Sequence, residues 1–449
     1  MSESRKTNRR EFLARTAGSV GALALGSTCF ADEAKSNLDA AKALVGKSAH
    51  DQLRIGIVGV GSRGGWLMNW VNKLASTHNV AITAVGDLLE RRRNQAADRV
   101  HEWCGKKPAL CRTPNELFDR KDVDAVIIAT ADFQHCYHAA QAVLAGKDVY
   151  VEKPFGCDFD QVSRAHAVIS KSDRVFQVGT QSRGNGKYES AAKFVQSGKL
   201  GQVTYVEISE PLFQQRWRIP ESERSVTVKD VDWQEFLCYL PKSLPFDARH
   251  YSEFRLFWPF SSGPFCQWMS HRIDLVNLVL GKLPSSAVAL GGVYLWQDGR
   301  SNPDTVQCLL EYPGGTLVSY HLRLGNSANG RAITFYGTTG TLELESGVAH
   351  GNGMGGLVVK TEPNAEAPVF RIDHTKVLRG KKAGGEAIDP GVSVDFMGDF
   401  FECVRTRRKT KADIEAALGH SVATILANQA YRTGRRMNYD AGKREMRPA

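Results

Sequence analysis

The sequence predicts an α/β fold: a doubly wound parallel sheet at the N-terminal side, then a second α/β unit on an open, mostly antiparallel sheet. Three observations carry this expectation. A glycine triplet, Gly59-Val60-Gly61-Ser62-Arg63-Gly64, sits between a short apolar run and a helical pattern. Strand-like and helical stretches then alternate as far as Gly179, the mark of parallel strands joined by helical crossovers. Between Ala287 and Glu345 the strand-like runs instead follow one another through turns with no helix between them, as in antiparallel sheets.

Leu53 to Val58 is a short apolar run that reads as a buried strand. Trp66, Leu67, Trp70, Val71 and Leu74 recur at helical spacing, and Val80 to Val85 makes a second strand ending in Gly86-Asp87. In such a β-α-β unit Gly59 allows the tight turn, Gly61 lets the backbone approach a pyrophosphate, and Gly64 lets helix and strand pack closely. The free N–H groups of the helix start, from Ser62 and Arg63 on, then face the phosphates. Asp87 lies 23 residues past Gly64, where an acid grips the adenosine ribose. This reads as a Rossmann-type site for NAD or NADP. A carboxylate at 87 favours NAD, whereas Arg91-Arg92-Arg93 either admits NADP or is a solvated helix face.

Val123 to Ala129 forms the next strand and ends at Thr130; Asp132-Phe133-Gln134-His135 opens a helix that Gly146 closes. Asp148–Val151 and Arg174–Gly179 are further strands, and Pro154 breaks the first of them after Glu152-Lys153. Lys153 therefore stands at the carboxyl edge of the sheet, where open α/β sheets bind ligands. The expected cofactor-binding set is Gly59, Gly61, Ser62, Arg63, Gly64, Asp87, Thr130, Asp132, His135, Glu152 and Lys153.

The stretch Gly146-Lys147-Asp148-Val149-Tyr150-Val151-Glu152-Lys153-Pro154, after Ile127-Ile128-Ala129-Thr130, resembles the glucose–fructose oxidoreductase / inositol dehydrogenase (Gfo/Idh/MocA) family, from about Leu53 to Asp440. Val178-Gly179-Thr180-Gln181-Ser182-Arg183 and Val231-Asp232-Trp233 resemble an exported bacterial subgroup. The resemblance implies a Rossmann domain followed by an α/β domain with an open, largely antiparallel sheet. It also implies NAD(P)-dependent oxidation or reduction of a sugar, glycoside or cyclitol hydroxyl.

The second half reads the same way from its residues. Strand-like runs occupy Gly201–Glu210, Ala287–Leu295, Val306–Tyr312, Leu317–Leu324, Ala332–Tyr336 and Thr341–Glu345. An apolar outer face on that sheet would make a homo-oligomer, dimer or tetramer. Residues 346–390 read as an edge hairpin plus a loose loop, and Val394–Val404 and Ala412–Thr433 as helices closing on the first domain. The expected divisions are 1–31 leader, 32–50 spacer, 51–180 nucleotide-binding domain, 181–390 substrate and oligomerisation domain, and 391–449 C-terminal helices.

A helix is predicted from Ser261-Ser262-Gly263-Pro264 to Leu280, stopped by Gly281. Gln267, His271 and Asp274 are spaced i, i+4, i+7 and share one face. The family pattern has Asp, then His, then Asp at these places, so Gln267 departs from it. The resemblance assigns catalysis to Lys153, His271 and Asp274. His271 would be the general base, Lys153 would stabilise developing charge on the same oxygen, and Asp274 would orient His271 or bind hydroxyls. Substrate contacts are expected from Lys153, Gln181, Arg183, Gln267 and His271, with Tyr188, Trp217 and His250 as further pocket candidates. Gln267 leaves open a shifted substrate, a slower or differently tuned dehydrogenase, or a cofactor-bound sugar-binding protein without turnover; the family resemblance separately implies, as an alternative, an NAD-dependent glycosidase that oxidises its sugar transiently and eliminates the aglycone.

Arg9-Arg10-Glu11-Phe12-Leu13 precedes a weakly apolar run through Gly18–Gly26 and resembles a twin-arginine export signal, cleaved after Ala31. The translocation machinery and a periplasmic location follow as expectations, with NAD tightly held from loading before export. The leader contributes a net +3 of the formal +10. The rest is a moderate basic excess, with no aromatic-interleaved stripe for nucleic acid. No run is long enough to span a membrane. The nine cysteines form no Cys-x-x-Cys pair, and no His/Cys/Asp cluster has metal spacing. Cys104 and Cys111 are close enough for a disulfide; free thiols are the alternative.

Overall fold

The computed structural model describes residues 51–345 apart from 328–329, the short strands at 357–360 and 371–372, and residues 388–449. The expected leader at 1–31, the expected spacer at 32–50 and most of the predicted hairpin and loop at 346–390 lie outside these residues.

Two sheets organise the described residues. The first has strands β1 (Leu53–Val58), β2 (Val80–Gly86), β3 (Ala109–Cys111), β4 (Ala125–Ile128), β5 (Asp148–Val151) and β6 (Phe176–Val178) in the order 3-2-1-4-5-6, all parallel. β4 and β5 are buried along their whole length, as strands covered by helices on both faces must be. Helix α1 (Ser62–Leu74) follows β1 and α2 (Glu90–Cys104) follows β2. A 3₁₀ turn at Asp132–Gln134 leads into α3 (His135–Leu144), with Gly146 left-handed just beyond its end. Helix α4 (Phe159–Ile169) precedes β6. The strand order reverses between β1 and β4, which opens a crevice at their carboxyl ends.

After helix α5 (Gly186–Gln196) comes the long strand β7 (Val203–Phe213) of a mixed sheet. Strands β8 (Ser286–Gly292), β9 (Thr305–Tyr312) and β10 (Thr316–Arg323) form a meander, and β10 returns parallel to β7. β7 then pairs antiparallel with β11 (Gly325–Asn326) at its end and with β12 (Ala332–Gly337), which pairs with β13 (Thr341–Glu345). Short strands β14 (Leu357–Lys360) and β15 (Arg371–Ile372) extend that edge. β9 shows the period-2 rule: Val306, Cys308, Leu310 and Tyr312 are buried while Gln307, Leu309 and Glu311 face outward.

Helices α6 (Ser270–Leu280) and α5 pack together against the sheet, with α7 (Phe396–Thr406) and α8 (Ile414–Thr433) following the sheet in sequence. α8 touches α6, β8 and also α4, so it ties the two sheets into one core. α7 returns to the first sheet's helices: Trp70 donates to Asp395 at 3.0 Å, and Arg405 donates to the carbonyls of Asp51 and His78 at 2.9 and 2.7 Å. A C-terminal hairpin, β16 (Met437–Asp440) and β17 (Glu445–Pro448), adds antiparallel to β8. It is not among the strands expected from the sequence: the two strands are only four residues each, and the second, Glu445-Met446-Arg447-Pro448, carries two charges and a proline. Cys104 and Cys111 are both free thiols rather than a disulfide. Cys104 lies exposed at the end of α2 and donates to its own helix, to the carbonyl of Val100, while Cys111 is buried in the sheet. No helix among the described residues is long and apolar enough to cross a membrane.

Candidate active site

A cleft of about 530 Å³ opens at the carboxyl ends of β1, β2 and β4, and its walls include Gly59, Gly61, Ser62, Arg63, Asp87 and Thr130. Each glycine has its own local reason. Gly59 has φ +81°, and a Cβ there would stand 2.6 Å from the carbonyl oxygen of Ala129. A Cβ on Gly64 would stand 1.9 Å from the carbonyl oxygen of Gly59, so this contact closes α1 onto β1. At Gly61 the nearest protein atom would be 3.5 Å away, on Arg92; the space over Gly61 belongs to the cleft. α1 starts there with no side-chain cap, leaving its first N–H groups free for an anion. Asp87 accepts from the N–H of Val60 at 3.1 Å and of Leu89 at 3.0 Å, which fixes its carboxylate at the rim. Burial raises the Asp87 pKa, opposed chiefly by Arg92. The Thr130 hydroxyl is buried with no protein partner among the described residues. A bare glycine, an uncapped helix start, a fixed carboxylate and an orphaned hydroxyl around one cleft fit a dinucleotide.

A second cavity of about 230 Å³ is lined by Arg63, Ala129, Thr130, His135, Glu152, Lys153, Gln181, Arg255, Gln267 and His271. It shares Arg63, Ala129, Thr130 and Arg255 with the first, so the two are one continuous groove. Glu152 accepts from Arg63 at 2.7 Å and from Gln181 at 3.0 Å. The His135 ring lies between the carbonyls of Pro154 (2.7 Å from Nδ1) and Thr130 (3.2 Å from Nε2), and in its neutral form it donates to one of them. Burial lowers its pKa.

Lys153 is held by Gln267. Its Nζ donates to the Gln267 backbone carbonyl at 2.9 Å and to Oε1 at 3.2 Å. The Gln267 amide in turn donates to Asp132 Oδ2 at 2.5 Å, and the same oxygen accepts from Ser261 at 2.7 Å. The carboxylate absent at 267 is thus present one hydrogen bond further on. Burial pulls the Lys153 pKa down to about 8, against the pull of Asp132 and Glu152. His271 is driven well below its ordinary value, first by burial and then by the neighbouring charges of Lys153, Arg272 and Arg63. It is neutral at physiological pH.

Phe265–Met269 forms a π-helical turn that runs into α6. Such turns concentrate at functional sites, and the wider i→i+5 turn rotates residues before it relative to those after. Gln267 and His271 both line the cavity, but Asp274 does not. It is fully buried and bound by Arg183 through two bonds, of 2.7 and 2.9 Å. Arg183 and Asp274, expected to meet substrate and His271, are thus paired with each other. Asp132, expected at the cofactor, is fully buried against Gln267. Tyr188 donates to Glu345, His250 packs on Phe257 and Phe260, and Trp217 packs on the aromatic cluster around Phe236. None of the three is among the residues lining the two cavities. Sequence reasoning missed Arg255, which lines both cavities and stands 3.7 Å from Asp132. It lies in a three-residue 3₁₀ turn, Phe254–Leu256, too short for periodicity or a motif to mark a residue.

Comparison with known proteins agrees with this fold. The family model described as "Oxidoreductase family, NAD-binding Rossmann fold" matches residues 53–180, and "GFO/IDH/MocA C-terminal domain" matches residues 236–343. A glycosyl hydrolase family 109 protein of Streptomyces coelicolor is 28% identical over 184 residues, covering 36% of this chain and 38% of that protein. The scyllo-inositol 2-dehydrogenase (NAD(+)) of Bacillus subtilis is 26% identical over 156 residues, covering 34% and 43%. The chain therefore spans well under half the length of these relatives. Among solved structures, the WlbA dehydrogenase of Chromobacterium violaceum in complex with NADH and UDP-GlcNAcA superposes with TM-score 0.63 at 17% identity, covering 89% of this chain and 99% of that one. Levoglucosan dehydrogenase in complex with NADH gives TM-score 0.62 at 14% identity, covering 86% and 99%. These two likenesses concern the fold.

Proposed function

Since the chain belongs to the Gfo/Idh/MocA family of NAD-binding oxidoreductases, we propose that it is an NAD-dependent dehydrogenase acting on a secondary hydroxyl of a sugar, glycoside or cyclitol. One observation carries the reading: the dinucleotide cleft and the Lys153–His271 cavity are a single groove sharing four wall residues. A bound nicotinamide supplies the hydride acceptor. Asp87 at the rim supports NAD over NADP, because a fixed carboxylate repels a 2′-phosphate.

Lys153 suits the proton transfer. A neutral amine has two N–H groups and one lone pair. Both N–H groups are taken by Gln267, which leaves the lone pair for a substrate hydroxyl. In the reverse direction the same position holds the proton to be returned. A pKa of about 8 lies near working pH, where general acid–base groups are most effective. His271 was the base on sequence grounds. Its depressed pKa makes it a weak base and supports instead a neutral hydrogen-bonding partner for the same oxygen. Asp132 orients the Gln267 amide so that Oε1 faces Lys153.

The pH profile tests this division of roles. Lys153 must be neutral to accept a proton, so kcat/KM for oxidation rises as pH climbs through about 8. Gln267→Glu places a carboxylate beside the ammonium, favours the charged form, and moves that limb up by about one to three pH units. An unmoved limb sinks the assignment to Lys153.

A second reading has a specific motive, since family 109 glycosyl hydrolases are among the relatives. Incubation with sugars and glycosides in excess NAD separates the two. Net NADH formation supports the dehydrogenase, whereas glycoside cleavage without it supports a transient oxidation–elimination cycle. Export is part of the proposal on the strength of Arg9-Arg10-Glu11-Phe12-Leu13. Intact mass of the periplasmic protein should begin at Asp32 with a dinucleotide bound; retention of the leader in the cytoplasm counts against it.

A further inference from the structure

The helix that carries Gln267 and His271 has a second row of side chains, Trp268 and Arg272, next to the first. Trp268 adjoins Gln267 in the π turn and stands three residues before His271. Two guanidinium groups lie against its indole: Arg216 at 5.0 Å and Arg331 at 4.9 Å from the ring centroid. They arrive from different places. Arg216 is on the segment that leaves β7 and reaches Ile219, a wall residue of the cleft, and Arg331 precedes β12.

The charges do not balance. Arg331 pairs with Glu210 at 3.2 Å; Arg272 pairs with the same Glu210 and with Glu345 at 2.7 Å. Two guanidinium groups thus use up the two carboxylates, and among the described residues no carboxylate is paired with Arg216, the third. Arg216 Nε and Trp268 Nε1 are both buried donors with no acceptor among the described residues. Buried donors left unmade are costly, and burial together with Arg331 works against the charge on Arg216. A ligand oxygen between the two donors removes both costs, and an anion also balances the charge. A guanidinium fork matches a planar carboxylate or a phosphate.

We infer that Arg216, the Trp268 N–H and Arg331 form an anion subsite one helical turn from His271, and that it takes the carboxylate or phosphate of an acidic sugar. This rests on the sugar reading above and adds the class of sugar. The occupied group sits beside, rather than on, the carbon facing Lys153 and His271, so the subsite fixes which hydroxyl is presented.

Calorimetric titration of the NADH-loaded protein with D-glucuronate, D-glucose 6-phosphate and D-glucose tests the inference. At least one acidic sugar should bind about tenfold or more tighter than glucose, and which one does identifies carboxylate or phosphate as the anion. Arg216→Leu brings that sugar to the affinity of glucose, whereas Arg216→Lys keeps a cation and retains part of the preference. Trp268→Phe keeps the ring, loses the N–H and gives an intermediate loss. Equal binding of all three sugars overturns the subsite, as does a folded Arg216→Leu variant with the preference intact. Oxidation of glucose with rejection of both acidic sugars leaves the dehydrogenase standing and removes the subsite. Tight acidic-sugar binding without NADH formation from any sugar does the reverse.

Discussion

Replacing Lys153 by Met should lower turnover about 10²–10⁴-fold, the usual worth of a positioned acid–base group, while leaving NADH affinity within about twofold of wild type. Met keeps the length and apolar stem of the side chain, so the cavity stays filled. What disappears is the amine that Gln267 holds at 2.9 and 3.2 Å. The alkaline rise near pH 8 should vanish with it, because no other group in the cavity is poised there: His271 is driven far lower. Steady-state rates and NADH fluorescence titration on one preparation check both halves. A variant that turns over within tenfold of wild type would remove Lys153 from the chemistry. Loss of NADH binding would instead make it a cofactor-site residue.

Gly64→Ala should unfold or strongly destabilise the nucleotide-binding half, by about 3 kcal/mol, and abolish dinucleotide binding. The methyl group would stand 1.9 Å from the Gly59 carbonyl oxygen, and backbone cannot yield as a flexible side chain can. Gly61→Ala is the contrasting case. Its Cβ meets only the end of Arg92, at 3.5 Å, so stability should stay within about 0.5 kcal/mol. Dinucleotide affinity should nonetheless fall about tenfold or more, because the methyl occupies the space the pyrophosphate needs. Urea denaturation and NADH titration of the two variants separate a packing glycine from a ligand glycine. Equal behaviour of the pair would refute that division.

These two cases differ in how they could be read. The glycine turn, its strand and its helix are contiguous, so the left-handed turn at Gly59 and the closure of Gly64 onto Gly59 lie within six residues and were legible directly. Lys153 was legible because a strand and a proline place it at a sheet edge. The role of Asp132 was not: it faces Gln267 across 135 positions of sequence, and no spacing rule reaches that far. Asp274 is a second such case. Its i+3 relation to His271 suggested a partner, but Arg183, 91 residues away, holds it instead.

By itself the sequence determined the parallel sheet, the dinucleotide turn, the edge lysine and the helix stopped at Gly281. Each depends on backbone geometry and apolar periodicity, which act between neighbours along the chain. The tertiary structure alone decided which polar groups meet: Lys153 with Gln267, Gln267 with Asp132, Arg183 with Asp274, and Arg216 left without a carboxylate among the described residues. Hydrogen bonds and ion pairs act over a few ångströms of space, whatever the distance along the chain, and so they are settled only when distant segments pack.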